Sequence, residues 1–274
     1  MTPKRLARTL TACCFAVTLP LGVMAGSALA QEKPFEPVSG QAGKDVVWVP
    51  TPQALVDRML DMAKVSPKDI LFDLGSGDGR TVITAAKRGV TATGIEFNPD
   101  MVALSRRNAA AAGVTGKATF IQGDIFKSDF SKATVVTLFL LTDLNLKLRP
   151  TLLDMKPGTR VVSNSFDMGE WEPDDRIEAN SDCSSFCRAM LWIVPAKVGG
   201  AWQMGKNELA LTQEFQMLTG TLKSASGSAP ISAAKMNGEY ISFTAAGKIY
   251  TGRVTGNRID GTVSDGTKWQ AARR

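Results

Sequence analysis

The segment Ile70-Leu-Phe-Asp-Leu-Gly-Ser-Gly-Asp-Gly-Arg80 constrains this chain more than any other. A short apolar strand pattern runs directly into three glycines, and Thr81 to Arg88 then takes up helical spacing. A strand that turns through glycine into a helix opens a strand-helix-strand crossover, which parallel strands require. The glycines let the backbone approach a ligand closely, and the helix start offers free N–H groups to a polar one. The spacing Gly75-x-Gly77-x-Gly79 is not the G-x-G-x-x-G that packs on a pyrophosphate, which disfavours NAD or FAD.

The unit repeats. Leu55 to Ala63 is helical in period after Thr51-Pro52, and strand Thr91 to Glu96 is followed by helix Pro99 to Ala112. Strands at Ala118 to Gln122, Ala133 to Leu140 and Arg160 to Ser165 follow, with a helix from Leu144 to Met155. Alternating strands and helices predict a parallel sheet covered on both faces. Past Trp171, strands Arg176 to Ala179 and Arg188 to Val194 complete it as a hairpin. From Pro195 helical period is absent, and six alternating segments between Glu208 and Ala272, separated by turns such as Asn237-Gly238, predict a small antiparallel sheet or barrel. The expected organisation is a signal at 1–30, a flexible arm at 31–45, an α/β domain at 46–195 and a β-rich module at 196–274, with 195–200 as linker.

Two further acids sit where chemistry is expected. Glu96 ends the second strand, where a carboxylate can accept both hydroxyls of a ribose. Asp124 follows the third strand in Gln-Gly-Asp-Ile-Phe, where it could accept the exocyclic amine of an adenine while Ile125 or Phe126 packs on the ring. Each alone has a plainer reading, Asp124 as a helix cap and Glu96 as a solvated strand end, but the ordered set describes a nucleoside site.

With these motifs in place the chain resembles the class I S-adenosylmethionine-dependent methyltransferases, whose signature is D-x-G-x-G-x-G, an acid ending strand two and an acid after strand three. The resemblance runs from about Trp48 to Val194. It implies a Rossmann-like seven-stranded methyltransferase sheet and S-adenosylmethionine as cofactor, with Asp73, Gly75, Ser76, Gly77 and Gly79 holding its methionine part, Glu96 its ribose, and Asp124 with Ile125 its adenine. Val47-Trp-Val-Pro-Thr-Pro-Gln, which brings Thr51 into the cofactor set, and Gly94-Ile-Glu-Phe-Asn-Pro are similar to the mitochondrial lysine methyltransferases acting on the c-subunit of ATP synthase and on the nucleotide translocator, and to their bacterial relatives. That narrower resemblance implies a protein lysine amine as methyl acceptor.

An acceptor is expected outside the carboxyl ends of the strands, where Thr142, Asp143 and Asn145 after strand four are the best-placed polar residues, with Asn164 and Asp167 next. Asp143 and Asn145 are the candidate catalytic residues, although Asp143 fits equally a cap for the helix starting at Leu144. There is no histidine, so a histidine base is excluded. The pattern Asn-Pro-Pro-Tyr and a Pro-Cys nucleophile are also absent, which argues against methylation of adenine or glutamine amino groups and of cytosine C5.

The first thirty residues read as a secretory signal, with Lys4, Arg5 and Arg8 ahead of an apolar stretch and Ala28-Leu29-Ala30 as a cleavage site before Gln31. The expected location is therefore exported and periplasmic, without a stable membrane span once the leader is removed. An uncleaved leader serving as anchor is the alternative. Residues 31–195 hold 19 basic and 21 acidic side chains and residues 196–274 hold 10 and 5, so the uniform basic footprint of a nucleic-acid binder is missing. Two cysteines outside the leader, Cys183 and Cys187, fit a disulfide closing a short loop far better than a metal site, with two free buried thiols as the second reading. Export conflicts with a cofactor made in the cytoplasm. The competing expectation is accordingly an exported, non-catalytic nucleoside-binding or scaffolding protein that keeps the fold.

Overall fold

A computed structural model describes residues 1–4, 7, 9, 35–178, 183 and 185–274. Apart from residues 1–4, 7 and 9, the signal expected at 1–30 lies outside the described residues, as do residues 31–34. Among the described residues no helix is long and apolar enough to cross a membrane.

Chain order is α1 (Gln53–Met62), β1 (Ile70–Leu74), α2 (Arg80–Lys87), β2 (Thr91–Glu96), α3 (Pro99–Ala111), β3 (Ala118–Gln122), β4 (Val135–Leu138), α4 (Thr142–Leu153), β5 (Arg160–Asn164), β6 (Asp175–Glu178) and β7 (Arg188–Ile193). The strands form a seven-stranded sheet in the order β3-β2-β1-β4-β5-β7-β6. Neighbours from β3 to β5 are parallel, and β7 runs antiparallel to both β5 and β6. The expected terminal hairpin is thus present, inserted with its second strand inward. Because the chain leaves β1 toward β2 on one side and returns to β4 on the other, the carboxyl ends of β1 and β4 diverge into a crevice.

Local chemistry explains the elements that frame this crevice. Leu55, Val56, Met59 and Leu60 give α1 one buried face, and Pro52 precedes its first turn. Asn98 accepts a hydrogen bond from the Asp100 N–H and Pro99 pre-sets the backbone, which starts α3 directly after β2. Every residue of β4 is buried, as the central position of a covered parallel sheet requires. Helix α4 begins at Thr142 with Leu141 as its cap residue, two residues earlier than the pattern predicts, so Asp143 lies in the first turn and does not cap the helix.

The C-terminal region is β8 (Gly200–Met204), β9 (Asn207–Glu214), β10 (Met217–Ser224), β11 (Gly227–Pro230), β12 (Ser232–Asn237), β13 (Tyr240–Ala245), β14 (Lys248–Thr255), β15 (Arg258–Val263) and β16 (Lys268–Arg273). Antiparallel pairing runs β10-β12-β13-β14-β15-β16-β8-β9, and β9 pairs back to β10, which closes a barrel with β11 as an extension alongside β10. Closure leaves little bare strand edge. It brings the β9 and β10 backbones so close that a Cβ at Gly220 would sit 1.9 Å from the Ala210 carbonyl oxygen, which fixes glycine there. Strands β8, β11 and β12 are not expected from the sequence pattern.

The barrel and the sheet belong to one compact unit, Phe35–Arg274. Phe215 stacks on the buried Trp171 with centroids 6.1 Å apart, and the Arg149 guanidinium of α4 lies 5.4 Å from the same ring. Gln216 donates to the Glu172 carbonyl at 2.7 Å, and the Ala196 N–H donates to the Gly238 carbonyl at 2.8 Å. The linker is therefore fastened, and the barrel buttresses the loop between β5 and β6.

The stretch expected as a flexible arm takes a defined course from residue 38 onward. The Gly40 N–H bonds the Trp48 carbonyl at 2.8 Å and the Trp48 N–H bonds the Gln41 carbonyl at 2.9 Å, a hairpin-like turn with a bridge between Ala42 and Val47. It differs from the expectation because its order comes from long-range contacts with the crevice.

Candidate functional site

The crevice at the carboxyl ends of β1, β2 and β4 is lined by the glycine turn, the end of β2, the start of the segment after β3, and the hairpin of residues 41–49. Its floor is Asp73. Thr137 of β4, which pairs in register with Asp73, donates its hydroxyl to Asp73 Oδ1 at 2.6 Å. Burial pushes the Asp73 carboxyl up to about 7 against that hydrogen bond, and the nearby Glu96 and Asp78 charges push in the same direction.

Gly75, Gly77 and Gly79 have φ of +80°, +54° and +84°, the left-handed region that favours glycine. At Gly77 there is a second reason, since a Cβ would lie 2.5 Å from Trp48 Nε1 of the overlying hairpin. The turn is pinned from below by the Gly75 and Ser76 N–H groups, both donating to the Ile95 carbonyl. Ser76 Oγ is buried without a hydrogen-bond partner.

Glu96 is braced by two backbone donors, the Gly77 N–H on Oε2 and the Asn98 N–H on Oε1, each at 2.9 Å. Its carboxylate therefore faces the crevice from a fixed position. Asp124 accepts the Phe126 N–H at 2.9 Å and Lys44 Nζ at 3.1 Å. Those two contacts, the backbone one first, hold its carboxyl below the usual range. Lys44 comes from the hairpin and lies 5.2 Å from the Phe97 ring centroid, so the hairpin crosses the crevice between its two acidic walls.

Asp73, Gly75, Ser76, Gly77, Glu96, Asp124, Ile125 and Thr51 thus line one crevice, whereas Gly79 stands behind it as the residue from which α2 starts. Thr51 is tied in twice: its carbonyl accepts Arg80 Nη1 at 2.9 Å and its hydroxyl accepts Asn164 Nδ2 at 3.3 Å. Asp143 and Asn145 are not brought into the crevice wall. Asp143 is exposed. Asn145 is fully buried and donates Nδ2 to the Phe166 and Asp167 carbonyls at 3.1 Å each, so it holds the turn after β5 and cannot touch an acceptor. Lys44, Trp48, Thr137, Phe139, Leu140 and Leu144 complete the site without having been expected in it. Of these only Thr137, a lone polar residue in an apolar strand, carries a signal readable in the sequence.

The donor set fits an adenosyl group carrying an amino acid. A braced carboxylate at the end of β2 suits vicinal hydroxyls, the Asp124 segment offers a polar edge beside the apolar Ile125, and the orphaned Ser76 hydroxyl in the glycine turn suits a polar substituent. No cluster of metal-ligating side chains occurs among the described residues.

A family model described as the ANTKMT methyltransferase domain matches residues 73–175. A protein-lysine N-methyltransferase of Saccharolobus islandicus is 48% identical over 136 residues, covering 48% of this chain and 84% of that protein. The human ATP synthase C-subunit lysine N-methyltransferase is 37% identical over 128 residues, covering 46% of this chain and 54% of that protein. Among solved structures, an RNA methyltransferase from Salinibacter ruber in complex with S-adenosyl-L-homocysteine is 49% identical with a TM-score of 0.52, covering 55% of this chain and 96% of that one. These matches take in about half of this chain, whose barrel lies beyond the family-model match at 73–175.

Proposed function

Since this chain belongs to the family of the ANTKMT methyltransferase domain and is an S-adenosylmethionine-dependent methyltransferase, we propose that its methyl acceptor is the side-chain amine of a protein lysine. The observation that carries the proposal is the 48% identity across 84% of a protein-lysine N-methyltransferase. A non-catalytic scaffold is not favoured.

When bound, S-adenosylmethionine supplies a methyl group on a sulfonium centre. Gly75, Ser76 and Gly77 of the glycine turn, with Asp73, would hold its methionine part, Glu96 its ribose hydroxyls, and Asp124 with Ile125 its adenine, with Thr51 flanking the turn. The remaining work is done on the acceptor. A lysine amine has a reference pKa of about 10.4 and must lose its proton before it can act as a nucleophile. Leu140 and Leu144 make the adjoining rim apolar, which desolvates an ammonium and favours the neutral amine. Asp143, exposed on the first turn of α4 beside the crevice-lining Leu144, is the carboxylate we assign to take up that proton through water, while Asn145 holds the turn after β5.

A second reading, an RNA acceptor, rests on the likeness to the Salinibacter ruber RNA methyltransferase. Against it stands the balance of 19 basic and 21 acidic side chains over residues 31–195. Incubation of the protein with tritiated S-adenosylmethionine and a cell-envelope extract decides between them. The proposal expects label that survives nuclease, is lost to protease, and maps to lysine by mass spectrometry. Label lost to nuclease would overturn it.

We further propose that residues 1–30 direct export to the periplasm. Support comes from the basic, apolar and small-residue sequence of the leader, and from the bridge between Cys183 and Cys187, which suits an oxidising compartment. Amino-terminal sequencing of the periplasmic protein is expected to begin at Gln31, and recovery of the intact chain in the membrane fraction would contradict cleavage.

A further inference from the structure

Phe139, Phe166 and Phe186 meet at the mouth of the crevice although they come from three different segments. Phe139 follows β4, Phe166 follows β5, and Phe186 precedes β7, whose first residues pair with the end of β5. Their ring centroids lie 5.3 Å apart for Phe139 and Phe186, and 6.1 Å apart for both other pairs. None of the three belongs to a core cluster of the molecule, and Phe186 is 40% exposed. Packing of the core therefore does not account for them. Phe139 also lines the crevice, so the aromatic group is continuous with the cofactor site.

The backbone is committed to this arrangement. Phe186 has φ of +56° and Ser165, beside Phe166, has φ of +61°, conformations that non-glycine residues adopt only when their surroundings impose them. Two constraints are visible. The disulfide between Cys183 and Cys187 closes a short loop around Phe186, and the Ser165 N–H donates to the Arg188 carbonyl at 2.8 Å.

Resting on the lysine-acceptor reading, we infer that Phe139, Phe166 and Phe186 form the wall along which the acceptor lysine lies, with its methylated ammonium held over the ring faces. Aromatic faces attract an alkylammonium electrostatically, and successive methylation makes the cation larger and less hydrated, so the wall holds methylated lysine more firmly than a neutral group of the same shape. The disulfide is the positioning device that keeps Phe186 at the mouth.

The test is a titration of the full chain, saturated with S-adenosylhomocysteine and followed by NMR, with Nα-acetyl-Nε-trimethyllysine amide and with its neutral isostere in which carbon replaces the nitrogen. The charged probe is expected to bind about two- to fivefold tighter than the neutral one. Phe186→Leu, which keeps apolar volume and removes the ring, should abolish that preference while leaving S-adenosylhomocysteine affinity unchanged. Phe166→Leu should do the same if Phe186→Leu proves unfolded, and reduction of the disulfide should weaken the preference. Equal affinity for the two probes in the unaltered protein, or a preference that survives loss of either ring, would overturn the inference. Failure to label any lysine would overturn the acceptor reading separately, because the probe titration does not depend on turnover.

Discussion

The parallel sheet gathers unpaired or backbone-braced acids at one end, with Asp73 buried, Glu96 held by two N–H groups and Asp124 under Lys44. The barrel places its charges in exposed pairs on its outside, Lys248 with Asp265, Arg253 with Glu239, Arg258 with Asp260 and Arg274 with Glu208. Its interior is Trp202, Phe243, Trp269 and aliphatic side chains. Exposed pairs contribute little energy, so the barrel stands on its apolar core, whereas the sheet accepts a destabilising buried carboxylate at its crevice. The difference teaches which region is built for chemistry and which for support. The barrel's contacts with Trp171 and Glu172 reach the loop that carries Phe166, and Phe215 also meets Arg149 of α4, but none of the barrel's residues lines the crevice.

The sharpest way to break that division is Trp202→Ala, which empties a fully buried site in the barrel. It should cost about 3–5 kcal/mol, read as a lowered Tm, while the folded fraction binds S-adenosylhomocysteine as before. A parallel loss of affinity would make the barrel part of the site.

Asp73 offers a test on the other side. Its carboxyl is raised from 3.8 to about 7, so the folded protein binds more protons than the unfolded chain between those values. Its contribution to stability is full below about 3.8 and is lost as the pH rises to about 7. Asp73→Asn should remove that component from a plot of Tm against pH, and an unchanged plot would show that Asp73 is not the group responsible.

Two glycines compare the regions directly. Gly77→Val, with φ of +54° and Trp48 Nε1 2.5 Å from the new Cβ, should weaken cofactor binding about a hundredfold. Gly247→Ala in the barrel, at φ of +72° with open space around it, should cost about 1 kcal/mol of stability and leave binding alone. The smallest effect is expected for Lys44→Ala, which removes the hairpin's charge from Asp124 and should change affinity by less than about tenfold. Calorimetric titration with S-adenosylhomocysteine reads the three affinities, and thermal unfolding reads the stability cost at Gly247.

Much of the crevice is legible in the sequence because its signals are local. The glycines follow a strand and open a helix, and Glu96 and Asp124 fall where β2 and β3 end, so order along the chain is enough to assemble them. What is not legible depends on distant partners. Residues 38–48 are polar and glycine-containing, and nothing in them announces that Trp48 packs on Gly77 or that Lys44 reaches Asp124. Gly-Ser-Ala-Pro of β11 and Ser-Ala-Ala-Lys-Met-Asn of β12 have little strand propensity, and barrel closure supplies their pairing. Asn145 is misplaced by sequence spacing, which locates a residue after β4 but does not say which way it faces: its side chain points into the molecule toward the turn after β5. The three phenylalanines share no sequence pattern at all.

The central claim is that the crevice around Asp73, Gly77 and Glu96 binds S-adenosylmethionine. Calorimetric titration of the full chain with S-adenosylmethionine and S-adenosylhomocysteine, alongside Glu96→Ala, tests it most directly. Micromolar binding, on the order of −8 kcal/mol, that Glu96→Ala abolishes in a variant that is still folded is the expected result. A folded protein that binds neither ligand, or a Glu96→Ala variant that binds as tightly as the unaltered chain, would contradict it.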